Sequence, residues 1–511
     1  MPTTSLFSTH FLASTGPVQW LSLVATILFT YAVSRCVYLL RFHPASKFPG
    51  PKIAAVSNIY YAYQWLRGRY PWAVDELVQE YGEVVRIAPN ELVFSTPQAA
   101  QDIYSPATKS QELWVKTDLM DFGAGDGGFI WEQDPAKRRE VAKKVLPAFS
   151  TKAIKAKEPT VQKYMDEFIR KMKEFGNVPD GVDLGKWVTW LAVDMSADLA
   201  YSRKMHHLRD TETSEFLETL LGTNFFGTVM QVSKKFPLLS PFAVLFVPLR
   251  IIRLVPKFYK MNSEAVQKRI DDREKTTHPD FVDYMLPANA PAPTTKKQKV
   301  HLEQVAMQLF IAGFDPIQLT FYSSIFFLLK NPATHANLVE EIRTSFQHYD
   351  DIAPDPLVDL PYLNAVIHET LRVHVTNAAG MPRRSPGAMV DGNYIPEGLV
   401  CQISNRSIAR NPHYFFDPEN FWPERWLKLG HPKYDEKFSK DNLKSYAPFG
   451  LGPRACTGRE IAWSQVRLFL AKVLWTFDLE FTRGQDKTFD RDFSVHVMWN
   501  KPDVWVKFKP R

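Results

Sequence analysis

The stretch Phe449-Gly450-Leu451-Gly452-Pro453-Arg454-Ala455-Cys456-Thr457-Gly458 sets one thiol among glycines, an aromatic ring and a guanidinium. A thiolate there can bind iron and push electron density through it, which favours cleavage of a dioxygen O–O bond. Such a sulfur needs backbone N–H groups aimed at it. Gly450, Gly452 and Gly458 supply the unusual dihedrals and let the chain approach a flat porphyrin closely. Arg454 can make charge-assisted hydrogen bonds to a porphyrin propionate. The helical pattern that Cys456 opens (Ile461, Ala462, Val466, Leu468, Phe469, Val473) brings a positive dipole end that favours thiolate. The bland alternative is a glycine-rich turn around a buried free cysteine. Six fixed residues in the pattern F-G-x-G-x-R-x-C-x-G arise by chance on the order of once in a hundred million starts at average usage. The turn reading loses.

Other segments hold groups that could work with this loop. Glu369-Thr370-Leu371-Arg372 places an acid and a base one helical turn apart, which alone is most often a surface ion pair. Phe421-Trp422-Pro423-Glu424-Arg425-Trp426 follows it, and Pro382-Arg383-Arg384-Ser385-Pro386 lies between. Trp131 to Ser150 is rich in basic groups, Arg138 among them. Ala312-Gly313-Phe314-Asp315 is followed by Pro316 and Ile317, with Thr320 one turn on.

With these motifs in this order, the sequence resembles the cytochrome P-450 superfamily over nearly its whole length. The hinge after the first apolar segment, the Tyr81 to Ser95 stretch and the Phe421 segment look most like fungal microsomal monooxygenases of secondary metabolism. The resemblance implies heme b with Cys456 as axial metal ligand, in a loop that includes Phe449 and Gly450. Arg454, Arg383 and Arg138 would anchor propionates. Where relatives carry His or Trp followed four residues later by Arg, this chain has Arg138 and Ala142, with Lys143 as a substitute. Ala312, Gly313, Asp315 and Pro316 would line the distal side, and Glu369, Arg372 and Arg425 would form a buried triad. Electrons would come from NADPH through a cytochrome P-450 reductase, with cytochrome b5 as a second donor. The substrate would be a small hydrophobic polyketide, terpenoid or alkaloid.

Pro316 departs from the family pattern, which has a threonine that helps deliver protons. Asp315 through water, Thr320, or a hydroxyl on the substrate could replace it. The departure also keeps open a heme-thiolate isomerase, dehydratase or phenol-coupling enzyme that inserts no oxygen, and a non-catalytic heme protein.

The elements that must position these groups read as mainly α with a smaller β region. One large domain over residues 48–511 follows an anchor and linker over 1–47. Val18 to Leu40 is long enough to cross a bilayer. Arg35, Arg41, Lys47 and Lys52 follow on its carboxyl side, which places the rest in the cytosol; the resemblance implies that the membrane is the endoplasmic reticulum. A cleaved signal peptide would need basic residues before the apolar core and a cleavage site after it. Phe48-Pro49-Gly50-Pro51 reads as a stiff hinge, and Tyr81 to Ser95 as a hairpin turning at Pro89-Asn90. Helical patterns dominate after Ala136, and Pro287 to Lys299 reads as a solvated loop. Val300 to Lys330 is apolar enough to compete as a second span, but an acid, a proline and two amides favour a buried central helix. Access elements are expected at Ser105 to Ile130 and at Phe225 to Pro256, the latter also at lipid through Lys234, Lys235, Arg250 and Arg253. The net charge of +7 suits acidic partners or anionic lipid. Nucleic acid is excluded, since no zinc finger, basic zipper or aromatic RNA-binding signature accompanies the charge. The remaining cysteines, Cys36 and Cys401, lie in apolar runs and read as packing residues. Three scattered cysteines build no disulfide framework, which indicates a reducing compartment.

Overall fold

Helix α1 (Pro17–Arg41) is exposed along its length except for half-buried Cys36 and buried Leu39 in its last turns, where Arg86 Nη1 donates to Leu39 O at 2.8 Å. Among the described residues it is the one helix long and apolar enough to cross a membrane. The structure, a computed structural model, describes residues 16–105, 114–121, 123, 125–276, 278–287 and 291–511. Residues 1–15, part of the first apolar segment, lie outside it. So do 106–113, 122 and 124 of the expected access element and 288–290 of the polar loop.

Eight short strands bear on the site: β1 (Val84–Ala88), β2 (Glu91–Phe94), β3 (Val115–Lys116), β4 (Val182–Asp183), β5 (Arg383–Arg384), β6 (Val400–Ile403), β7 (Phe477–Arg483) and β8 (Trp505–Pro510). One sheet runs β1-β2-β6-β5-β3, with β2 and β6 parallel and the other pairs antiparallel. The expected hairpin is β1 and β2, turning at Pro89 and Asn90. Cys401 faces Leu92 on one side and Arg383 on the other, fully buried, and burial pushes its thiol far up. It is a packing residue. A second sheet, β4-β8-β7, closes the carboxyl-terminal side.

Helix supplies most of the body. The helices needed here are α2 (Pro135–Val145), α3 (Leu184–Tyr201), α4 (Lys296–Lys330), α5 (Pro361–Val373) and α6 (Arg459–Thr476). Four further helices fall before Ala136, at Lys52–Val56, Ile59–Leu66, Tyr70–Tyr81 and Pro97–Tyr104, where the sequence reading placed none. Helix α4 begins four residues before the expected Val300. Thr295 Oγ1 accepts from Gln298 N at 3.2 Å, and Gln298 Oε1 accepts from Thr295 N at 3.1 Å. This reciprocal cap satisfies two orphan donors and fixes the start. The helix continues through Pro316 to Lys330, buried over most of its second half. It is therefore the central helix and not a second span. It packs on α3 and α6, and stacked rings of Phe321 and Phe469, with centroids 4.1 Å apart, tie it to α6. The axis of the molecule thus runs past both the Ala312 segment and the helix that follows Cys456.

Candidate heme site

The Cys456 loop is held by its own backbone. Cys456 N donates to Phe449 O at 2.7 Å, Ala455 N to Gly452 O at 3.0 Å, and Gly450 N to Ala447 O at 3.0 Å. Gly452 has φ +67°, and a Cβ there would lie 1.9 Å from the carbonyl oxygen of Tyr104. Only glycine meets both demands. Helix α6 starts at Arg459 with Gly458 as its N-cap, so Cys456 sits just before the helix and does not open it. The Cys456 thiol is exposed. Burial nonetheless raises its pKa, against the Gly458 N–H and the Arg459 charge, so the expected preference for thiolate is not intrinsic to the loop. A group can be both accessible and surrounded by protein only if it lines an interior opening.

Helix α4 shows the same combination. Phe310 and Ile317 are buried, but Ile311, Ala312, Asp315 and Pro316 between them carry accessible surface. Ala312, Asp315 and Pro316 follow the i, i+3, i+4 spacing of one helix face. Burial pushes the Asp315 carboxyl up to about 6, opposed by a Gln318 hydrogen bond and the Lys501 charge. Gly313 turns elsewhere: a Cβ there would meet Ser196 Oγ at 2.5 Å, so this glycine lets α3 and α4 approach. Thr320 donates its hydroxyl to the Pro316 carbonyl at 2.7 Å and is buried, so its proton is already committed. It does not stand on a route to the open face.

The arginines come from separate elements. Arg138 on α2 and Arg383 on β5 are 8% and 4% exposed, deep for guanidinium groups. Arg383 lies 5.1 Å from the Tyr104 ring centroid, and Arg138 lies 4.8 Å from that of Phe129. Arg454 Nη1 donates to Glu132 O at 2.8 Å. Arg383 and Arg454 line one cavity of about 100 Å³ with Tyr104 and Gly450. Lys143 does not join them: it is exposed and pairs with Glu140 at 2.7 Å. Among the described residues no three His, Cys, Asp or Glu side chains gather to hold an ion. A thiol opening inward, a face kept small by Ala312 and two buried arginines fit a heme.

Behind the loop, Glu369, Arg372 and Arg425 are fully buried. Arg372 grips Glu369 bidentately, Nε to Oε2 at 2.8 Å and Nη2 to Oε1 at 2.7 Å. Arg425 Nε adds a contact to Oε1 at 3.3 Å, and Trp422 N and Trp426 Nε1 each donate at 2.8 Å. Burial alone would raise the Glu369 pKa, but the two arginines and these donors outweigh it and hold it low. The pair is no surface bridge.

Two further contacts shape access. Gln308 Oε1 accepts from Phe129 N at 2.9 Å and Ile130 N at 2.7 Å, pinning the end of the 105–130 segment to α4. Lys235 pairs with Glu91, and Lys234 donates to the Asp118 and Asp121 carbonyls, beside a cavity of about 540 Å³ that reaches Arg35 and Leu39 of α1. These two lysines therefore hold the protein together and do not face lipid as expected. Leu238, Leu239, Phe242, Leu245 and Leu249 are the exposed apolar groups there.

The cytochrome P-450 family model matches residues 49–508, and the chain belongs to that family of heme monooxygenases. It is 47% identical over 482 residues to the cytochrome P-450 monooxygenase TwmD of Talaromyces wortmannii, covering 94% of each chain. It is 33% identical to BOA3 of Botryotinia fuckeliana, over 96% of each chain. It is also 33% identical to poxC of Penicillium oxalicum, over 95% of this chain and 93% of that one. Both are again cytochrome P-450 monooxygenases.

Sequence reasoning missed Tyr104, Gln308, Gln318 and Lys501. The first three sit on helices outside any motif stretch, and Lys501 is 183 positions from the Gln318 it touches. Only the T-x-x-Q cap at Thr295 was a readable signal of where α4 starts.

Proposed function

We propose that this enzyme oxidises a small hydrophobic natural-product intermediate of the polyketide, terpenoid or alkaloid kind, in fungal secondary metabolism. Dioxygen is the oxidant, and NADPH supplies electrons through a separate reductase, with cytochrome b5 as a second donor. Helix α1 anchors the chain in the endoplasmic reticulum membrane, with the body in the cytosol. The observation that carries this reading is the Cys456 thiol, accessible yet enclosed, in a fold whose fungal relatives are named monooxygenases. Heme bound there supplies activation of dioxygen.

The chain's own residues do the rest. Cys456 ligates the iron, and the glycine turn keeps its sulfur accessible without a side chain in the way. Arg138, Arg383 and Arg454 hold the propionates by charge-assisted hydrogen bonds. Glu369, Arg372 and Arg425 keep the segment before the loop in register, and Gln308 fixes one wall of the access segment. Ala312 leaves room on the distal face, and Asp315 holds a proton at its carboxyl there. Pro316 has no N–H for the Ala312 carbonyl, which leaves that oxygen open toward the same face.

The test is incubation of the enzyme with reductase, NADPH and labelled dioxygen against apolar polyketide, terpenoid and alkaloid intermediates. One labelled oxygen atom per product supports the reading. Unlabelled products of rearrangement, dehydration or phenol coupling would replace it with the reading that the proline at 316 favours.

A further inference from the structure

The position where relatives carry a hydroxyl is Pro316 here, and Thr320 has committed its proton to the Pro316 carbonyl. Asp315 is then the one acid on the open face of α4, and it is not loose. Gln318 Nε2 donates to Asp315 Oδ1 at 3.1 Å. Gln318 Oε1 accepts from Lys501 Nζ and lies 3.0 Å from Thr189 Oγ1, whose one proton goes to the Gly185 carbonyl at 2.7 Å. Lys501 Nζ also reaches Thr189 Oγ1 at 3.1 Å. An ammonium can only donate, so it fixes which end of the amide is oxygen and turns the NH2 toward the carboxylate. Three elements distant in sequence, namely α4, α3 and the segment before β8, converge on the Gln318 amide, whose other end holds the carboxyl.

We propose that Gln318 and Lys501 are positioning residues for Asp315, aiming it at the distal face and setting its charge, in place of the hydroxyl that Pro316 removes. The proposal deepens the monooxygenase reading and rests on it. Gln318 carries no proton; it holds the carboxyl. Asp315 gives a proton inward and becomes a carboxylate, which the Lys501 ammonium stabilises until a proton from solvent water restores the acid. Gly185 lies against this group: a Cβ there would lie 3.3 Å from Asp183 Oδ1 and 3.7 Å from Lys501 Cε. The groups acting on Asp315 are thus Gln318 on its own helix and Lys501, which in turn faces Asp183 and the Tyr322 ring, while neutral Thr189 on α3 touches Gln318 and Lys501. The ionisations agree with the geometry: burial lowers the Lys501 ammonium to about 8, opposed by Asp315 and Asp183, while Lys501 restrains the rise of Asp315.

The experiment is a pH titration of the heme-loaded full chain by difference infrared spectroscopy, with the Asp315 carboxyl band assigned by its loss in Asp315→Asn. Lys501→Met should move the midpoint up by about one pH unit or more, the usual effect of removing a nearby opposite charge. Lys501→Arg should restore it. Gln318→Asn, too short to reach Asp315, should shift it in the same direction and serves where Lys501→Met does not fold. Peroxide released per NADPH should rise several-fold in the shifted variants. A midpoint that stays put in folded Lys501→Met or Gln318→Asn overturns the proposal, and so does a shifted midpoint with unchanged peroxide. The titration needs no turnover, so it stands apart from failure of the monooxygenase reading.

Discussion

Replacing Glu369 by alanine should cost about 3–5 kcal/mol, the usual penalty for removing one partner of a buried ion pair. Five donors lose their acceptor: two from Arg372, one from Arg425, the Trp422 N–H and the Trp426 indole. Counting each as a charged hydrogen bond at roughly 1.5–3 kcal/mol would give about 7–15 kcal/mol, as large as a whole domain's stability. That sum is too high, because neither guanidinium is left bare. Arg372 keeps the carbonyls of Ala409, Pro418 and Asn420, and Arg425 keeps Asp441 and the Phe416 carbonyl. The remaining cost is one buried charge, Arg372, without its counter-charge, and a second, Arg425, left with Asp441 alone. The control is Glu140→Ala, which breaks an exposed i,i+3 pair with Lys143 and should cost under about 1 kcal/mol. Urea unfolding of the heme-loaded protein, followed by circular dichroism and Soret absorbance together, reads both. A loss below about 1 kcal/mol in Glu369→Ala, with normal heme content, would refute the reasoning and make the triad a bystander.

Gly452→Ala should incorporate little heme, because a Cβ would overlap the Tyr104 carbonyl at a positive φ; heme per protein by pyridine hemochrome checks it, and a normal ratio counts against the loop's close fit. Coupling of NADPH to product should be greatest below about pH 6 and fall as pH rises. Above about 6 Asp315 is increasingly without the proton it gives, its raised pKa setting that point, and above about 8 Lys501 also loses its charge, because its pKa is lowered. A coupling profile flat from pH 5 to 9 would contradict both assignments. Deleting residues 1–41 should leave part of the protein on liposomes through Leu238, Leu245 and Leu249, and serine at those three should release it; flotation decides, and a truncated chain that never floats removes this second contact.

Much of the site was legible because its chemistry forces local spacing. The Cys456 loop, the Glu369–Arg372 turn and the Pro89–Asn90 hairpin are each set within a few residues, so sequence carries them. The polar chain to Asp315 was not legible, because Gln318, Thr189 and Lys501 meet only through tertiary packing of α3, α4 and the segment before β8. Thr320 was one of three candidate proton sources, by its place on the Pro316 face. A threonine in a helix readily donates to the carbonyl four residues back, and here that local bond wins. Lys234 and Lys235 were expected at lipid from composition alone. In the fold they reach across to Glu91 and to backbone carbonyls, contacts no window of sequence can show.

The assignment of Cys456 as iron ligand meets its sharpest test in the absorbance of the reduced enzyme under carbon monoxide. Wild-type protein should show the red-shifted Soret band that arises only with an axial thiolate, and Cys456→Ser should lose it while keeping its far-ultraviolet circular dichroism. An unchanged red-shifted band in Cys456→Ser would mean that another residue binds the iron.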